Sequence, residues 1–379
     1  MRVLFSSTFG YGHVLPMLPL ARAFRSSGHD VLWATSAQAT PHVAVTGIAT
    51  APAGLTGDEL RSLLAPLHAR AATVAPRQRA AFMYPRLFGA LLTPPMAHDL
   101  LELARRWRPD LLIHEHGELA SPLVGAVLGT PSVTHAFGGA IPAEIVAAAG
   151  AALEPLWADH GHVMAPYAGC FTSCYIDICP PSVQSVSMAH IPRTQPLRPA
   201  SRRTGKASDE GPPLVYLTLG TVQNRSPILP IVAAALASMP VRLLVAIGPD
   251  GDRGQLAALP DHVQVETWVD QAEVIEQCAV VVSHAGSGTF LGALAAGRPQ
   301  LCLPLAADQF RNAEGGRRSG AVLVLDPEEV GPESVVRAVT RLLTEESFAA
   351  RARMVSTEIA GMSSPTEVVD VLVAELGPG

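Results

Sequence analysis

Short apolar runs alternate along the chain with longer stretches in which apolar residues recur at helical spacing. That alternation predicts an α/β protein built on parallel sheets covered on both faces. Residues 2–6 read as a buried strand, 15–25 as a helix stopped by Gly28, and 30–34 as the next strand, which makes one βαβ unit. Residues 111–113, introduced by Arg108-Pro109-Asp110, predict another strand, followed by a small-residue helix over 120–128 that ends at Gly129 and Pro131. Residues 192–213 then collect Pro, Arg, Ser, Thr and Gly with almost no periodic apolar positions, the composition of a surface linker. After it the rhythm restarts, with strands at 214–219, 241–247, 263–265, 280–283 and 300–304 and helices at 228–237 and 290–296. The pattern predicts two Rossmann-like domains, 1–198 and 214–379, joined by a linker at 199–213, with ligands at the carboxyl ends of the strands in a cleft between them.

Composition narrows the function. A length of 379 residues suits two domains at about 150 residues each. An apolar content of 48% with only 16% charged residues excludes intrinsic disorder. The net charge of −6 lacks the basic surface that nucleic acid demands, so no nucleic-acid partner is expected. Lys206 is the sole lysine and lies in a polar stretch, which excludes a Walker phosphate loop and a Schiff-base enzyme. Cys170, Cys174, Cys179, Cys278 and Cys302 follow no disulfide framework and point to a reducing, cytoplasmic setting. His160 and His162 precede three of these cysteines, but without a Cys-x-x-Cys pair the cluster reads as structural thiols, and no metal is expected. Gly10, Gly12 and His13 interrupt the apolar start before a signal-peptide core forms, and no apolar run reaches the ~18 residues of a membrane span.

Two glycine-rich turns carry the chemistry. Gly10-Tyr11-Gly12-His13 invites a dinucleotide reading, but Leu15 stands where the third glycine belongs and strand two ends in Ala34-Thr35-Ser36, without an acid for a ribose. The turn instead presents a histidine at a helix N-terminus, where the dipole disfavours imidazolium and leaves His13 a neutral base; the alternative is a histidine that only caps the turn. Glu115 follows the strand at 111–113 and would orient that imidazole, although His114, His116 and Glu118 crowd the same loop and leave the register open. In the second half, Ser283-His284-Ala285-Gly286-Ser287-Gly288-Thr289 joins an apolar strand to a helix. Its small residues admit a ligand to the free amides of the helix start, a pyrophosphate site to which His284 and the Gly220-Thr221 turn add donors.

Together these motifs resemble the GT-B glycosyltransferases that use nucleotide sugars to decorate small lipophilic acceptors, in particular their natural-product and antibiotic branch. The resemblance spans essentially the whole chain. It is most specific in Trp268-Val269-Asp270-Gln271, His284 to Thr289, Gly297-Arg298-Pro299, Pro304, Asp308-Gln309 and Asn312. It implies a GT-B fold with an acceptor-binding domain at 1–198, a nucleotide-sugar domain at 214–379, and an amphipathic closing helix, 367–376, that returns to the first domain. Trp268 would lie against the base, which the residue alone leaves open to a core role, and the Val269 backbone would bond the base edge. His284, Gly286, Ser287, Gly288 and Thr289 would bind the pyrophosphate, Thr221 would approach the leaving phosphate, and Asp308 and Gln309 would touch the sugar. His13 would be the general base and Glu115 its partner. Tyr11, Phe82, Tyr84, Phe88 and Phe137 are candidates for an apolar acceptor wall and equally good core residues.

One departure from the family pattern selects a donor. Where uridine-nucleotide members carry a ribose-binding glutamate, this chain has Gly292, so a dTDP-sugar, and with it a deoxysugar, is expected. The expected chemistry is inverting displacement on an aglycone such as an aromatic polyketide, through a hydroxyl or a ring carbon, with no metal and no cofactor beyond the dTDP-sugar co-substrate. Asp250-Gly251-Asp252, between Pro249 and Gly254, reads as a surface turn and not as a cation site. A homodimer is compatible with the sequence. Two other readings remain at this point: a nucleotide-sugar epimerase, which should bring further carboxylates to the sugar, and a non-catalytic partner of another transferase, which would not need His13.

Overall fold

The structure is a computed structural model that describes residues 1–199, 211–221 and 225–377. The chain divides into two compact units, each assembled from separated stretches. Unit one comprises Met1–Ile178, Val186–Arg198 and Ser363–Gly379; unit two comprises Cys179–Ser185 and Pro199–Met362. Most of the expected linker, at 200–210, lies outside the described residues.

In unit one the described strands are β1 (Arg2–Ser6), β2 (Asp30–Thr35), β3 (Ala49–Pro52), β4 (Leu111–Glu115), β5 (Ser132–His135), β6 (Cys174–Asp177) and β7 (Thr194–Pro196). They form one parallel sheet in the order β3-β2-β1-β4-β5-β6-β7. In unit two β8 (Leu214–Thr218), β9 (Arg242–Ala246), β10 (Gln264–Glu266), β11 (Val280–Ser283), β12 (Gln300–Cys302) and β13 (Val322–Val324) form a second parallel sheet in the order β10-β9-β8-β11-β12-β13. The central strands β4 and β11 are buried along their whole length, which is why Leu111–Ile113 and Val280–Val282 run apolar instead of alternating. In both sheets the strand order reverses beside the first strand, between β1 and β4 and between β8 and β11. Ligands of doubly wound sheets bind outside the carboxyl ends of the strands at such a reversal.

Two predicted helices start earlier than their apolar periodicity suggests. The first helical stretch opens at Tyr11–Val14, passes through a tight turn at Leu15–Met17 containing Pro16, and continues as Leu18–Ser26. His13 therefore lies within the first turn, its N–H bonded to the Gly10 carbonyl at 3.2 Å, and not ahead of the helix. The helix predicted at 290–296 is Ser287–Ala295, because the small residues Ser287 and Gly288 form its first turn. The closing helix, Pro365–Leu376, begins with a Ser364 capping box, buries Val368, Val369 and Leu372, packs on Leu18–Ser26, and pairs Glu375 with Arg193. Among the described residues no helix is long and apolar enough to cross a membrane.

Candidate active site

At the reversal in unit one, the end of β4 faces the turn after β1. Glu115 closes β4 and is fully buried. Its Oε1 accepts the Thr8 N–H at 3.1 Å and the Thr8 hydroxyl at 2.6 Å, its Oε2 accepts the Gly117 N–H, and His13 Nδ1 lies 3.1 Å from Oε1. Burial pushes this carboxyl's pKa up, but the adjacent His13 and the bonds from His13, Thr8 and Gly117 prevail and bring it down to about 2. Glu115 is thus a carboxylate at neutral pH. With Nδ1 directed at it, the ring carries its basic lone pair on Nε2, the arrangement that serves a general base.

The register left open by the crowded loop resolves through the neighbours. Glu118 is buried and accepts the Ser6 hydroxyl at 2.6 Å and the Ala120 N–H at 2.6 Å, so it anchors the start of the helix Ser121–Leu128. His114 spans the Glu118 carbonyl (2.6 Å) and the Thr134 hydroxyl (2.9 Å), and His116 packs among Tyr84, Phe171 and Tyr175. Of the expected acceptor wall, Phe137 and Phe88 flank the His13 ring at centroid distances of 4.8 and 5.5 Å, and Tyr84 stands behind Phe88 with its hydroxyl donated to the His116 carbonyl. Phe82 instead lies beneath the Arg86 guanidinium at 4.1 Å, and Tyr11 stacks on His42 at 4.0 Å. His13 itself keeps 22% of its side chain exposed, enough for a ligand to reach it. A recess of about 380 Å³ elsewhere in this unit, along Asp99, Leu103 and Arg106, includes none of these residues.

At the reversal in unit two, His284 follows β11. Its ring is gripped by two backbones: a Cβ on Gly286 would lie 2.5 Å from Nε2, and one on Gly220 2.7 Å from Cε1. Burial outweighs the pull of Asp308 and lowers the His284 pKa to about 4, so the ring is neutral at pH 7. Ala285 takes φ 62°, a left-handed conformation costly for a residue with a Cβ, and Asn312 secures it by donating to the Ala285 carbonyl at 2.9 Å. Asn312 also reaches Ser287 Oγ (3.0 Å) and Asp308 Oδ2 (3.1 Å), and the Ser287 hydroxyl donates to the same Asp308 oxygen at 2.6 Å. The helix Ser287–Ala295 has Gly286 as its cap with no side-chain hydrogen bond, so its leading amides present the positive end of the helix.

The remaining expected donor residues fall around this turn. Thr289 donates to Gln271 Oε1 at 3.1 Å, and Gln309 is partly committed, its Oε1 accepting the Leu305 and Ala306 amides at 2.7 and 2.9 Å. Trp268 is 57% exposed and is not a core residue, while Val269 packs at the edge of the cluster containing Tyr216, Ile275 and Val281. Thr221 stands in the turn after β8, directly before residues 222–224, which lie outside the described set. Among the described residues no three His, Cys, Asp or Glu side chains group as metal ligands, and Asp252 caps the short turn Arg253–Leu256.

Residues 22–192 and 231–375 match the family models for the N- and C-terminal domains of erythromycin biosynthesis protein CIII-like proteins. The chain is 33% identical to the elloramycin glycosyltransferase ElmGT of Streptomyces olivaceus, over 100% of this chain and 98% of that one. The chain belongs to this family of antibiotic glycosyltransferases. A second member, the L-demethylnoviosyl transferase of Streptomyces niveus, is 30% identical over 99% of this chain and 98% of its own length. The spinosyn rhamnosyltransferase SpnG superposes with a TM-score of 0.82 at 27% identity, covering 99% of this chain and all of that one, and fixes the fold as GT-B. SpnG has also been solved with thymidine diphosphate; that structure matches with a TM-score of 0.80 at 26% identity, over 98% of this chain and 100% of that one. Family membership makes the protein a transferase enzyme and leaves the epimerase and binding-partner readings without support.

Sequence reasoning missed two supports of this glycosyltransferase site. Thr8, the main donor to Glu115, has no signal beyond being a small polar residue just after β1. Asn312 stood in the signature without a role, and only the left-handed Ala285 supplies one.

Proposed function

We propose that this glycosyltransferase moves a sugar, typically a deoxysugar, from a dTDP-sugar to a hydroxyl of a small lipophilic aglycone such as an aromatic polyketide, with inversion at the anomeric carbon. The observation that carries the reading is the His13–Glu115 contact at 3.1 Å, a partly exposed imidazole held by a buried carboxylate. In this reading His13 Nε2 takes the acceptor proton as the oxygen attacks, and Glu115 stabilises the imidazolium. The bond from the anomeric carbon to the phosphate oxygen breaks, and the amides at Gly286–Thr289 with neutral His284 stabilise the departing diphosphate. No metal or resident cofactor takes part. Gly292 supports the thymidine donor because no carboxylate stands there to pair with a ribose 2′-hydroxyl, and SpnG, a relative of the same fold, was solved with thymidine diphosphate. Buried free thiols at all five cysteines support a cytoplasmic setting. Calorimetric titration with the two diphosphates tests the donor: thymidine diphosphate is expected to bind more tightly, and a clear preference for uridine diphosphate would overturn that choice.

A further inference from the structure

Thr8, whose hydroxyl holds Glu115, also lines a small recess with Phe9, Ser36, Leu60, Leu92 and Met96. Phe9, Leu60 and Leu92 belong to the same apolar cluster as Phe88, the ring beside His13, so one packed cluster joins the recess to the neighbourhood of the proposed base. Its volume is about 20 Å³, and one water needs roughly 10–15 Å³. One or two non-hydrogen atoms fit, and a ring does not. The walls are mostly apolar. Thr8 and Ser36 are the polar exceptions; the Thr8 hydroxyl is committed to Glu115, whereas Ser36, just past the end of β2 and only 6% exposed, has no hydrogen-bond partner for its Oγ among the described residues. Nearby hydroxyls are satisfied, Ser7 donating to Thr35 Oγ1 at 3.1 Å and Thr35 to the Thr8 carbonyl at 3.1 Å. A buried serine hydroxyl left alone in a recess of this size calls for a small polar guest.

We propose that this recess is an acceptor subsite for one small polar substituent, a hydroxyl or carbonyl oxygen, which pairs with Ser36 Oγ and displaces whatever water fills the space. The proposal rests on the acceptor reading given above. A group that reproduces the displaced water's hydrogen bond keeps its affinity, whereas an acceptor bearing only hydrogen at that position leaves the serine unpaired. Ser36 is then a specificity-determining residue, acting on which aglycone is held and not on the chemistry at His13.

The test uses emodin and chrysophanol, two anthraquinones that differ by a single hydroxyl, with dissociation constants measured for the full-length protein, Ser36→Ala and Ser36→Val. The wild type is expected to favour emodin about tenfold, the worth of one neutral hydrogen bond. Ser36→Ala should shrink that preference to about twofold or less, and Ser36→Val, which fills the recess, should weaken emodin further while leaving chrysophanol within about twofold. Both variants should bind thymidine diphosphate like the wild type, which establishes that they are folded. A wild type without preference, or a preference that survives Ser36→Ala, overturns the subsite. If neither anthraquinone binds any variant while thymidine diphosphate still does, the aromatic-acceptor reading itself has failed and the subsite falls with it.

Discussion

His13 and His284 both lie where their sheet reverses order, His13 in the helical turn that follows β1 and His284 directly after β11, yet their surroundings give them opposite characters. His13 is partly exposed and lies against a buried carboxylate that is ionised at neutral pH. His284 is buried between Gly220 and Gly286, with its pKa drawn down to about 4. The first environment sets an ionised carboxylate 3.1 Å from the ring. The second penalises a charged ring, which suits a neutral hydrogen-bond donor beside an anion. In the proposed roles, the same imidazole serves as base or as ligand clamp according to whether a carboxylate or a backbone touches it.

The strongest way to break the comparison is His13→Ala, which should cut transfer by about 10²–10⁴-fold, the usual worth of a general base, while thymidine diphosphate affinity stays within about twofold. Product formation and calorimetry on the same preparation check it, and retention of most turnover would remove His13 from the base role. On the other side, Gly286→Ala should do the reverse. Its Cβ would come within 2.5 Å of His284 Nε2 and force the ring out of place, so thymidine diphosphate affinity should fall by about tenfold or more while acceptor affinity holds.

A smaller effect is expected from Gly292→Glu. A Cβ there meets only Ile275 Cδ1, at an ordinary 3.6 Å, so the variant should fold. Uridine diphosphate should gain on thymidine diphosphate by roughly tenfold or less; no change in the ratio would remove position 292 from donor choice. A last prediction concerns pH and reads stability instead of binding. His284 and His135 are both lowered from 6.5 to about 4, chiefly by burial, so the unfolded chain binds more protons than the folded one in that interval. Stability should fall as pH drops from 6.5 to about 4, and the depressed Glu115 adds a further loss between about 4.5 and 2. Thermal unfolding followed across pH 7 to 4 should show Tm decreasing; a Tm that rises on acidification contradicts the assignment of both rings as neutral.

The centre of each sheet was more legible than its edges, although the edge strand β10 was read at 263–265, one residue early. β4 and β11 are buried on both faces and announce themselves as apolar runs, as do β1 and β8. The edge strands β3, reading Ala-Thr-Ala-Pro, and β7, reading Thr-Gln-Pro, are short, polar and proline-bearing and leave no period to detect. Likewise β5, Ser-Val-Thr-His, is fully buried yet reads as polar, because Thr134 and His135 turn inward to hydrogen bonds with Cys170 and Ala136. The site followed the same logic. Glycine turns and strand ends singled out His13, Glu115 and His284 as candidates, but placing Phe88 and Phe137 beside the His13 ring while Phe82 and Tyr11 pack elsewhere depends on contacts between segments distant in sequence.

The return of Pro365–Leu376 to Leu18–Ser26 has a consequence for how the molecule is made. Unit one starts to emerge from the ribosome before unit two but lacks Pro365–Leu376 until unit two has been translated, so the half that holds His13 is completed only after the other. A nascent chain stalled before Ser364 would expose the apolar face that Val368, Val369 and Leu372 normally cover. A chain cut short just before Ser364 would therefore damage the unit built around β1 and β4, far away in sequence.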